Sequence, residues 1–443
     1  MLGPLALALC FCILSLPLVR RRNKQIVISV DNILVAAFIV LFSVMFPFVY
    51  AYSLYGSSTR DYLVEFIAKY TLSQMCIYYL VSYLFLFVLV FCYRRVAGHA
   101  SIEDVLKRPA YSLGSSRTFL IATVCLWLIG AASDVLYLWE YGGYANYMEY
   151  AGQLRSGASD FYNPFSFLMP FRDCVPLASL FFFSLISRKR PYVLPMFIVA
   201  FSHALLIYYS NLGRLSFVLF LVIFPLFYAV RRFRLKAINA RLVAICLLLV
   251  ILFLALIVGL GNLLSRNTAE GILQILAEET SFFFANFKVI LDNDIDYRFF
   301  FDIVTYPVYL LPSSIWRTFI PDTVSDLMTI MIDGHKKGEG GVYGEAPIDA
   351  IGLSYFQLGI VGVVVCAAVW GILLALVFRA AKRIRHRDSS LMIHTYLVIS
   401  LALRSILYCD TYNVVQRMFP LVVFLCIYLF LSLLSPRKER ASA

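Results

Sequence analysis

Four arginines stand at or inside apolar segments of this chain, where a charged side chain is energetically costly. They are Arg172, Arg214, Arg404 and Arg417. An arginine at the centre of a membrane helix costs about 2.5 kcal/mol or more, and it usually faces a cavity or a partner. Its planar guanidinium stays charged and donates paired hydrogen bonds to phosphate oxygens. A cluster of such residues could hold a diphosphate without a metal ion.

A structural role is the alternative for each arginine taken singly. Each could extend its charged end to a membrane boundary or pair with an acid, as Arg172 could with Asp173. Two further residues are candidate substrate contacts. Arg155 is the basic residue of the Tyr- and Gly-rich loop 140–163, and Tyr412 lies in the segment that leads to Arg417.

Five residues are candidates for a group that accepts a proton, which is work that carboxylates and imidazoles do: Glu345, Asp349, His335, Glu339 and Asp410. Glu345 comes first, because it lies between glycines and a proline just before an apolar segment. Each of the five could instead be a solvated loop residue. The Asp-x-Asp pattern at 292–296 is better explained by a solvated turn, so neither a metal site nor a cofactor is predicted.

The composition assigns these residues to a membrane protein. The chain is 61% hydrophobic and 14% charged, whereas soluble proteins carry about 25% charged residues. Apolar stretches of about 18 residues or more can cross a bilayer. We expect an all-α polytopic membrane protein, a single integral membrane domain over residues 1–443, with about eleven spans. These are 2–19, 32–52, 72–92, 119–139, 164–185, 192–209, 215–230, 242–260, 355–378, 391–408 and 418–434.

Basic clusters occupy alternate loops, as at 20–22, 188–190, 231–234 and 382–385. The positive-inside rule places such clusters in the cytoplasm. It therefore predicts a periplasmic N-terminus and a cytoplasmic C-terminus. The net charge of +12 is then a topology signal, because no separate basic domain is present to bind nucleic acid.

The long polar interval 263–352 falls on the periplasmic side in this topology. Within it, 272–291 has the pattern of a helix. The segment 306–312 is apolar but too short to span, and Pro307 and Pro312 oppose a continuous helix. We expect a re-entrant or interfacial element there, beside a cavity.

Four passages, read in order along the chain, carry a resemblance to a known family. They are Pro-Phe-Arg at 170–172, Asn-Leu-Gly-Arg at 211–214, the passage from 310–316 through 344–347 to 355–362, and the segment 410–417. With these passages in this topological order, the chain resembles bacterial Wzy-type oligosaccharide repeat-unit polymerases, which include the O-antigen polymerases.

The resemblance implies a membrane glycosyltransferase of the GT-C type in the bacterial inner membrane. Such an enzyme takes a glycan from undecaprenyl diphosphate and joins it to a new lipid-linked repeat unit at the periplasmic face. The donor carries its own leaving group, so no nucleotide or other cofactor is implied. The arginines would bind the diphosphate, and an outer acid would activate the acceptor hydroxyl. A chain-length co-polymerase is the expected protein partner.

Two other functions stay open at this point. An O-antigen ligase, which passes glycan to lipid A core, usually has a histidine in its long loop, and His335 fits that pattern. A lipid-linked oligosaccharide flippase would also recognise the diphosphate. Flippases normally have twelve or more spans in related halves and no long outer loop, so they fit less well.

Overall fold

The computed structural model describes residues 2–22, 25–26, 28–56, 66–98, 105–106, 113–156, 163–187, 189–211, 214–233, 272–293, 297–311, 313–320, 322–340, 342, 345–382, 384 and 386–434. Most of these residues are helical. The α-helices are Leu2–Ser15, Val30–Val40, Phe46–Tyr55, Leu72–Ala97, Leu113–Trp139, Tyr144–Ser156, Met169–Arg172, Cys174–Leu185, Val193–Ser210, Arg214–Phe233, Ile272–Asp292, Phe301–Val304, Ser313–Trp316, Val324–Asp333, Ala350–Lys382, Arg387–Leu397, Arg404–Leu407 and Thr411–Leu434.

Shorter irregular elements join or interrupt these helices. The 3-10 helices are Leu16–Leu18, Ser166–Leu168 and Tyr306–Leu310, and the π-helical segments are Leu41–Met45 and Val398–Leu403. Two strands of two residues each, Arg21–Arg22 and Gln25–Ile26, pair antiparallel in the connection after the first helix.

Among the described residues, eight helical segments are long and apolar enough to cross a membrane. They are Val30–Tyr55, Leu72–Ala97, Arg117–Trp139, Ser166–Leu185, Val193–Ser210, Ala350–Lys382, Arg387–Leu407 and Val414–Leu434. They confirm an all-α, multi-pass membrane protein. The shorter apolar helix Leu2–Leu18 and the helix Arg214–Phe233 occupy two more of the predicted spans. The predicted span 242–260 lies outside the described residues.

The centre of the bundle is the contact between Leu72–Ala97 and Ala350–Lys382, the most extensive helix pair in the described structure. Their backbones approach closely at Gly371, where an added Cβ would lie 2.5 Å from the carbonyl oxygen of Leu89. The hydrophobic effect does not drive helices together inside a bilayer. Small residues at such crossings allow the close van der Waals packing that holds membrane helices together. A larger residue at Gly371 would push the two helices apart.

The helix predicted in the polar interval is present as Ile272–Asp292, but it is not a peripheral loop helix. Its residues 281–290 are all buried. Phe284 packs on Phe46 with ring centroids 5.0 Å apart, and Phe287 stacks on Tyr78 at 4.3 Å. These aromatic contacts tie part of the long polar interval into the membrane bundle.

The span Ser166–Leu185 is interrupted between its two prolines, Pro170 and Pro176. A short helix, Met169–Arg172, ends at Asp173, and a second helix, Cys174–Leu185, continues the crossing. Pro170 and Pro176 each remove one backbone hydrogen-bond donor, which weakens the helical ladder on both sides of the junction. Arg172 and Asp173 therefore stand at an interruption within a membrane span.

One predicted span contains a sharp turn near its start. The backbone reverses at Leu358 and Gly359, which have non-helical torsions (φ −163° and φ +55°) inside Ala350–Lys382. Ala350 and Ser354 line the same groove as Cys366 and Trp370, so residues 350–357 pack antiparallel on the start of 360–382. Residues 350–357 thus form a short helix, called here the re-entrant helix, that folds back on the long helix 360–382. The predicted span 355–378 lies within the candidate membrane helix Ala350–Lys382, but its first residues precede the reversal.

The chain that leads into the re-entrant helix is held by side chains and backbone from other segments. The amide of Ala346 donates to Thr329 Oγ1, Asn286 Nδ2 donates to the Pro347 carbonyl, and the Cys409 amide donates to the Ile348 carbonyl. A buried, non-helical backbone must have its polar groups satisfied in this way.

Candidate functional site

Two of the predicted arginines, Arg404 and Arg417, line one small cavity inside the bundle, called here the arginine cavity. Its volume is about 40 Å³, and its other polar lining residues are Asp173, Tyr208, Ser216, Tyr396 and Ser400. The elements that supply them are far apart in sequence. The fold thus brings together residues that hydropathy alone could place only in separate spans.

Each charged residue of the arginine cavity lies beside an irregularity of its helix. Asp173 stands at the break in Ser166–Leu185, and Arg404 directly follows the π-helical segment Val398–Leu403. Arg417 precedes Pro420, which interrupts hydrogen bonding inside Thr411–Leu434. Such interruptions recur at functional sites because they expose backbone groups and redirect side chains.

The charges in the arginine cavity do not balance. Arg417 Nη1 pairs with Asp173 Oδ2 at 3.0 Å. Arg404 Nη1 donates to the hydroxyl of Ser216 at 3.2 Å, and its guanidinium lies over the Tyr408 ring at 5.8 Å. Within the described part of the chain, Arg404 forms no ion pair with a carboxylate. The described lining of this cavity thus contains two guanidinium groups and one carboxylate, a net positive charge that favours an anion.

The arginine cavity has room for only a few water molecules, given its volume of about 40 Å³ and the space that one water occupies. A diphosphate would therefore enter with a displacement of lining side chains. Arg417 and Asp173 keep 31% and 20% of their side-chain surface exposed, so this pair is accessible to such an exchange.

Arg172 belongs to a different, buried network. Its Nε donates to Asp134 Oδ1 at 2.6 Å, and both side chains are 1% exposed. Its guanidinium lies 4.4 Å from the Tyr137 ring centre and 5.3 Å from that of Tyr147. The suggested pairing of Arg172 with Asp173 was wrong, because successive side chains on a helix point in different directions. Arg172 turns to Asp134, and Asp173 turns to Arg417.

Asp134 is the centre of this second network, called here the Asp134 network. Besides Arg172, its carboxylate meets His203 Nε2 at 2.8 Å and the hydroxyl of Tyr144. The position of His203 inside an apolar span predicts a packed residue, and Asp134 is not among the predicted site residues. An acid inside the apolar span 119–139 was the signal that could have found it, since ionisable residues in membranes are retained for partners or function.

Three predicted binding residues have side chains outside the described structure. The backbone of Arg214 begins the helix Arg214–Phe233, two residues before Ser216 of the arginine cavity. Arg155 lies near the end of Tyr144–Ser156, and Tyr412 is the second residue of Thr411–Leu434. Their roles in binding stay predictions.

The predicted proton acceptors do not line the arginine cavity. Glu345 Oε1 pairs with Lys337 Nζ at 3.0 Å and is 39% exposed. His335 is exposed and packs over Gly340. Both are accessible, but neither is brought near Arg404 or Arg417 by any described contact.

Asp349 is buried and caps the re-entrant helix. Its Oδ1 accepts the Gly352 amide at 2.7 Å, the hydrogen bond typical of an N-cap. Burial raises the pKa of this carboxyl to about 7, although the Gly352 amide and the Tyr78 hydroxyl act in the opposite direction. The geometry thus gives Asp349 a structural role in this conformation.

A second, apolar cavity lies on the other side of the last span and is called here the apolar groove. Its volume is about 500 Å³, and it is bounded by the re-entrant helix, the span 360–382, the 3-10 helix Tyr306–Leu310 and the last span. Arg417 of the last span faces the arginine cavity, whereas Val414, Met418 and Leu421 face the apolar groove. The predicted element at 306–312 indeed lies beside a cavity.

Among the described residues, no group of three or more His, Cys, Asp or Glu side chains is arranged to hold a metal ion. Comparison with known proteins gave no match: no protein-family model, no curated protein and no solved structure is detectably similar to this chain.

Proposed function

We propose that this chain is a membrane glycosyltransferase that polymerises oligosaccharide repeat units carried on a polyprenyl diphosphate. The observation that carries the proposal is the pair Arg404 and Arg417 in one cavity with a single carboxylate, Asp173. A diphosphate leaving group develops negative charge as the glycosidic bond breaks. Guanidinium groups fixed beforehand in a low-dielectric site stabilise that charge.

In the proposed step, the acceptor hydroxyl oxygen attacks the anomeric carbon of the donor glycan. The bond between that carbon and the diphosphate oxygen breaks, and the lipid diphosphate departs with the bonding electrons. Glu345 is the proposed acceptor of the hydroxyl proton, because it is accessible whereas Asp349 caps a buried helix. Its ion pair with Lys337 would have to open first.

The apolar groove supports a lipid-linked substrate. Its lining is almost wholly apolar and lies among membrane-crossing helices, where a hydrocarbon chain is the natural occupant. The last span forms a wall of both cavities, so a polyprenyl chain and a diphosphate could be held on either side of it. The bacterial inner membrane, a periplasmic site and a chain-length co-polymerase belong to the same proposal.

The test uses the purified full-length chain in lipid nanodiscs with a polyprenyl-diphosphate-linked repeat unit, without nucleotide sugar or added metal. We expect a ladder of products for the wild type and for Arg379→Ala, and none for Arg404→Ala or Arg417→Ala. Arg379 is a matched control, because it is exposed and donates to the Val96 carbonyl away from the cavity.

Other outcomes identify the alternatives. Transfer only when lipid A core is supplied would indicate a ligase and would direct attention to His335. Movement of the lipid-linked unit across a vesicle membrane, with no new glycosidic bond in either assay, would indicate a flippase. Either result would contradict the polymerase proposal.

A further inference from the structure

Residues 297–320, called here the strap, present a row of apolar side chains that no described element covers. Phe299 and Phe319 are each 71% exposed and Val304 is 75% exposed. Phe301, Leu311 and Ile315 are also exposed. Exposed apolar area on this scale marks contact with protein or membrane.

The backbone of the strap is strained at the place where it presents Phe299. Phe299 and Phe300 both have positive φ angles, 47° and 63°. A bulky residue is strained in this left-handed region, and such strain persists only where the surroundings fix it. Two successive phenylalanines in this conformation therefore need a strong local restraint.

The restraint is a clamp of Arg298, Asp302 and Gln357. Arg298 donates to both carboxylate oxygens of Asp302, at 2.8 and 3.1 Å, and Gln357 Nε2 donates to Asp302 at 2.9 Å. Asp302 is fully buried. The amides of Arg298 and Phe299 also donate to the carbonyls of Phe356 and Gln357. The clamp thus fixes the strap to the turn between the re-entrant helix and the span 360–382.

The apolar side chains of the strap continue a lipid-facing surface of the bundle, which indicates that lipid covers them. Directly after that turn, Ile360 and Val361 of the span are 56% and 58% exposed, as side chains facing lipid are. Ile303 and Val304 of the strap line the apolar groove. The strap therefore extends the lipid-facing surface beyond the end of a membrane span.

The charges of the strap agree with this location. Its charged residues are Arg298, Asp302 and Arg317, and the one acid is buried in the clamp. The accessible charge is positive, which is favourable beside anionic lipid headgroups. Interfacial segments with this combination bury their apolar side about 5–10 Å into the boundary between headgroups and acyl chains.

We propose that the strap is an interfacial membrane anchor, with Phe299 and Phe319 inserted among the lipids of the adjacent leaflet and the Arg298–Asp302–Gln357 clamp setting the depth of Phe299. This anchor would hold Tyr306 and Pro307, which line the apolar groove, at the level of the headgroups. The inference does not depend on the proposed transfer reaction.

The test places the photocrosslinker p-benzoylphenylalanine at position 299 or 319 of the full-length protein in nanodiscs of phosphatidylcholine and phosphatidylglycerol. After irradiation, intact-protein mass spectrometry counts lipid adducts. Position 336 is the control, because Lys336 lies in the polar part of the same interval and its side chain is 41% exposed. We expect several-fold more lipid adduct at 299 and 319 than at 336.

A second variant tests the clamp. Asp302→Asn should reduce the lipid adduct at 299 several-fold and leave that at 319 unchanged, because only Phe299 is fixed through Asp302. Size-exclusion chromatography verifies that the variant is folded. Equal yields at 299, 319 and 336, or crosslinks between two copies of the protein, would overturn the anchor. An unchanged yield at 299 in Asp302→Asn would overturn the role of the clamp.

Discussion

The Asp134 network and the arginine cavity each contain an ion pair of an arginine and an aspartate among the membrane-crossing helices, yet the two pairs differ in how exposed they are. Arg172 and Asp134 are both 1% exposed and are surrounded by His203, Tyr137 and Tyr147. Arg417 and Asp173 stay partly open, beside a second arginine, Arg404. An arginine buried together with a carboxylate supports the fold, whereas a partly exposed arginine beside a second arginine is accessible to a ligand.

Loss of the carboxylate in the Asp134 network should have the largest effect. Asp134→Ala leaves the buried guanidinium of Arg172 without its partner, which typically costs about 3–5 kcal/mol of stability. Equilibrium unfolding in detergent, followed by tryptophan fluorescence, measures the change. The matched variant is Asp173→Ala in the more open pair, where a far smaller loss is expected. Equal losses would remove the distinction between the two regions.

Loss of an arginine from the arginine cavity should lower the rate of glycosyl transfer and leave the free energy of unfolding nearly unchanged. Arg404→Ala or Arg417→Ala should lower the rate of polymer formation by about 10²–10³-fold, as is typical when a donor to a developing negative charge is removed. Initial rates at saturating lipid-linked substrate, beside unfolding curves of the same samples, measure both quantities. If the variant lost much stability while its rate of polymer formation stayed unchanged, the arginine would have a structural role, like Arg172.

Asp349 extends the comparison to a buried acid whose hydrogen-bond donors are neutral, the Gly352 amide and the Tyr78 hydroxyl. Its folded-state pKa of about 7 lies above its ordinary value of 3.8, so the folded state retains a proton that the unfolded state has released. The stabilisation is complete below about pH 4 and is lost as the pH rises through about 7. Between pH 5 and pH 7 the free energy of unfolding should fall by about 2 kcal/mol.

The matched variant for this prediction is Asp349→Asn, which keeps a side-chain oxygen for the Gly352 amide but cannot ionise. Unfolding curves at several pH values should be flatter for this variant than for the wild type. If the two proteins show the same pH dependence, Asp349 is not the group responsible.

Removal of the charge at Asp173 should have the smallest effect. Asp173→Asn relaxes a partly exposed pair, and such pairs contribute about 1 kcal/mol or less. It also frees Arg417 for an anion. We therefore expect tighter binding of farnesyl diphosphate, measured by thermal shift against farnesol, with little change in stability without ligand. Weaker binding would mean that Asp173 positions Arg417 instead of competing for it.

Local patterns predicted much of the fold. The apolar stretch 72–92 lies within the helix Leu72–Ala97, and Pro170 and Pro176 flank a real break. These features depend on hydropathy and backbone sterics within one segment. The reversal at Leu358 was missed because no charged residue interrupts the sequence from 350 to 378. A single positive φ at Gly359 changes its path without a change in hydropathy.

The candidate site was predicted only in part, because its chemistry depends on contacts between distant segments. Placement at membrane boundaries singled out Arg404 and Arg417, and the structure brings both to one cavity, where their role in binding stays a prediction. Placement could not separate them from Arg172, whose partner Asp134 is 38 residues away along the chain. Nor could it show that Asp349 is a buried cap while Glu345 is accessible, since both are acids in one loop.

The backbone leading into the re-entrant helix has a consequence for biogenesis. Its three polar anchors come from Asn286, Thr329 and Cys409, and the last of these follows the segment it binds by some sixty residues of chain. Until Arg387–Leu407 has been synthesised and inserted, the Ile348 carbonyl lacks its donor, and an unpaired carbonyl costs several kcal/mol in hydrocarbon. The segment 345–357 should therefore enter the membrane late in synthesis, as a post-insertion step that completes the bundle.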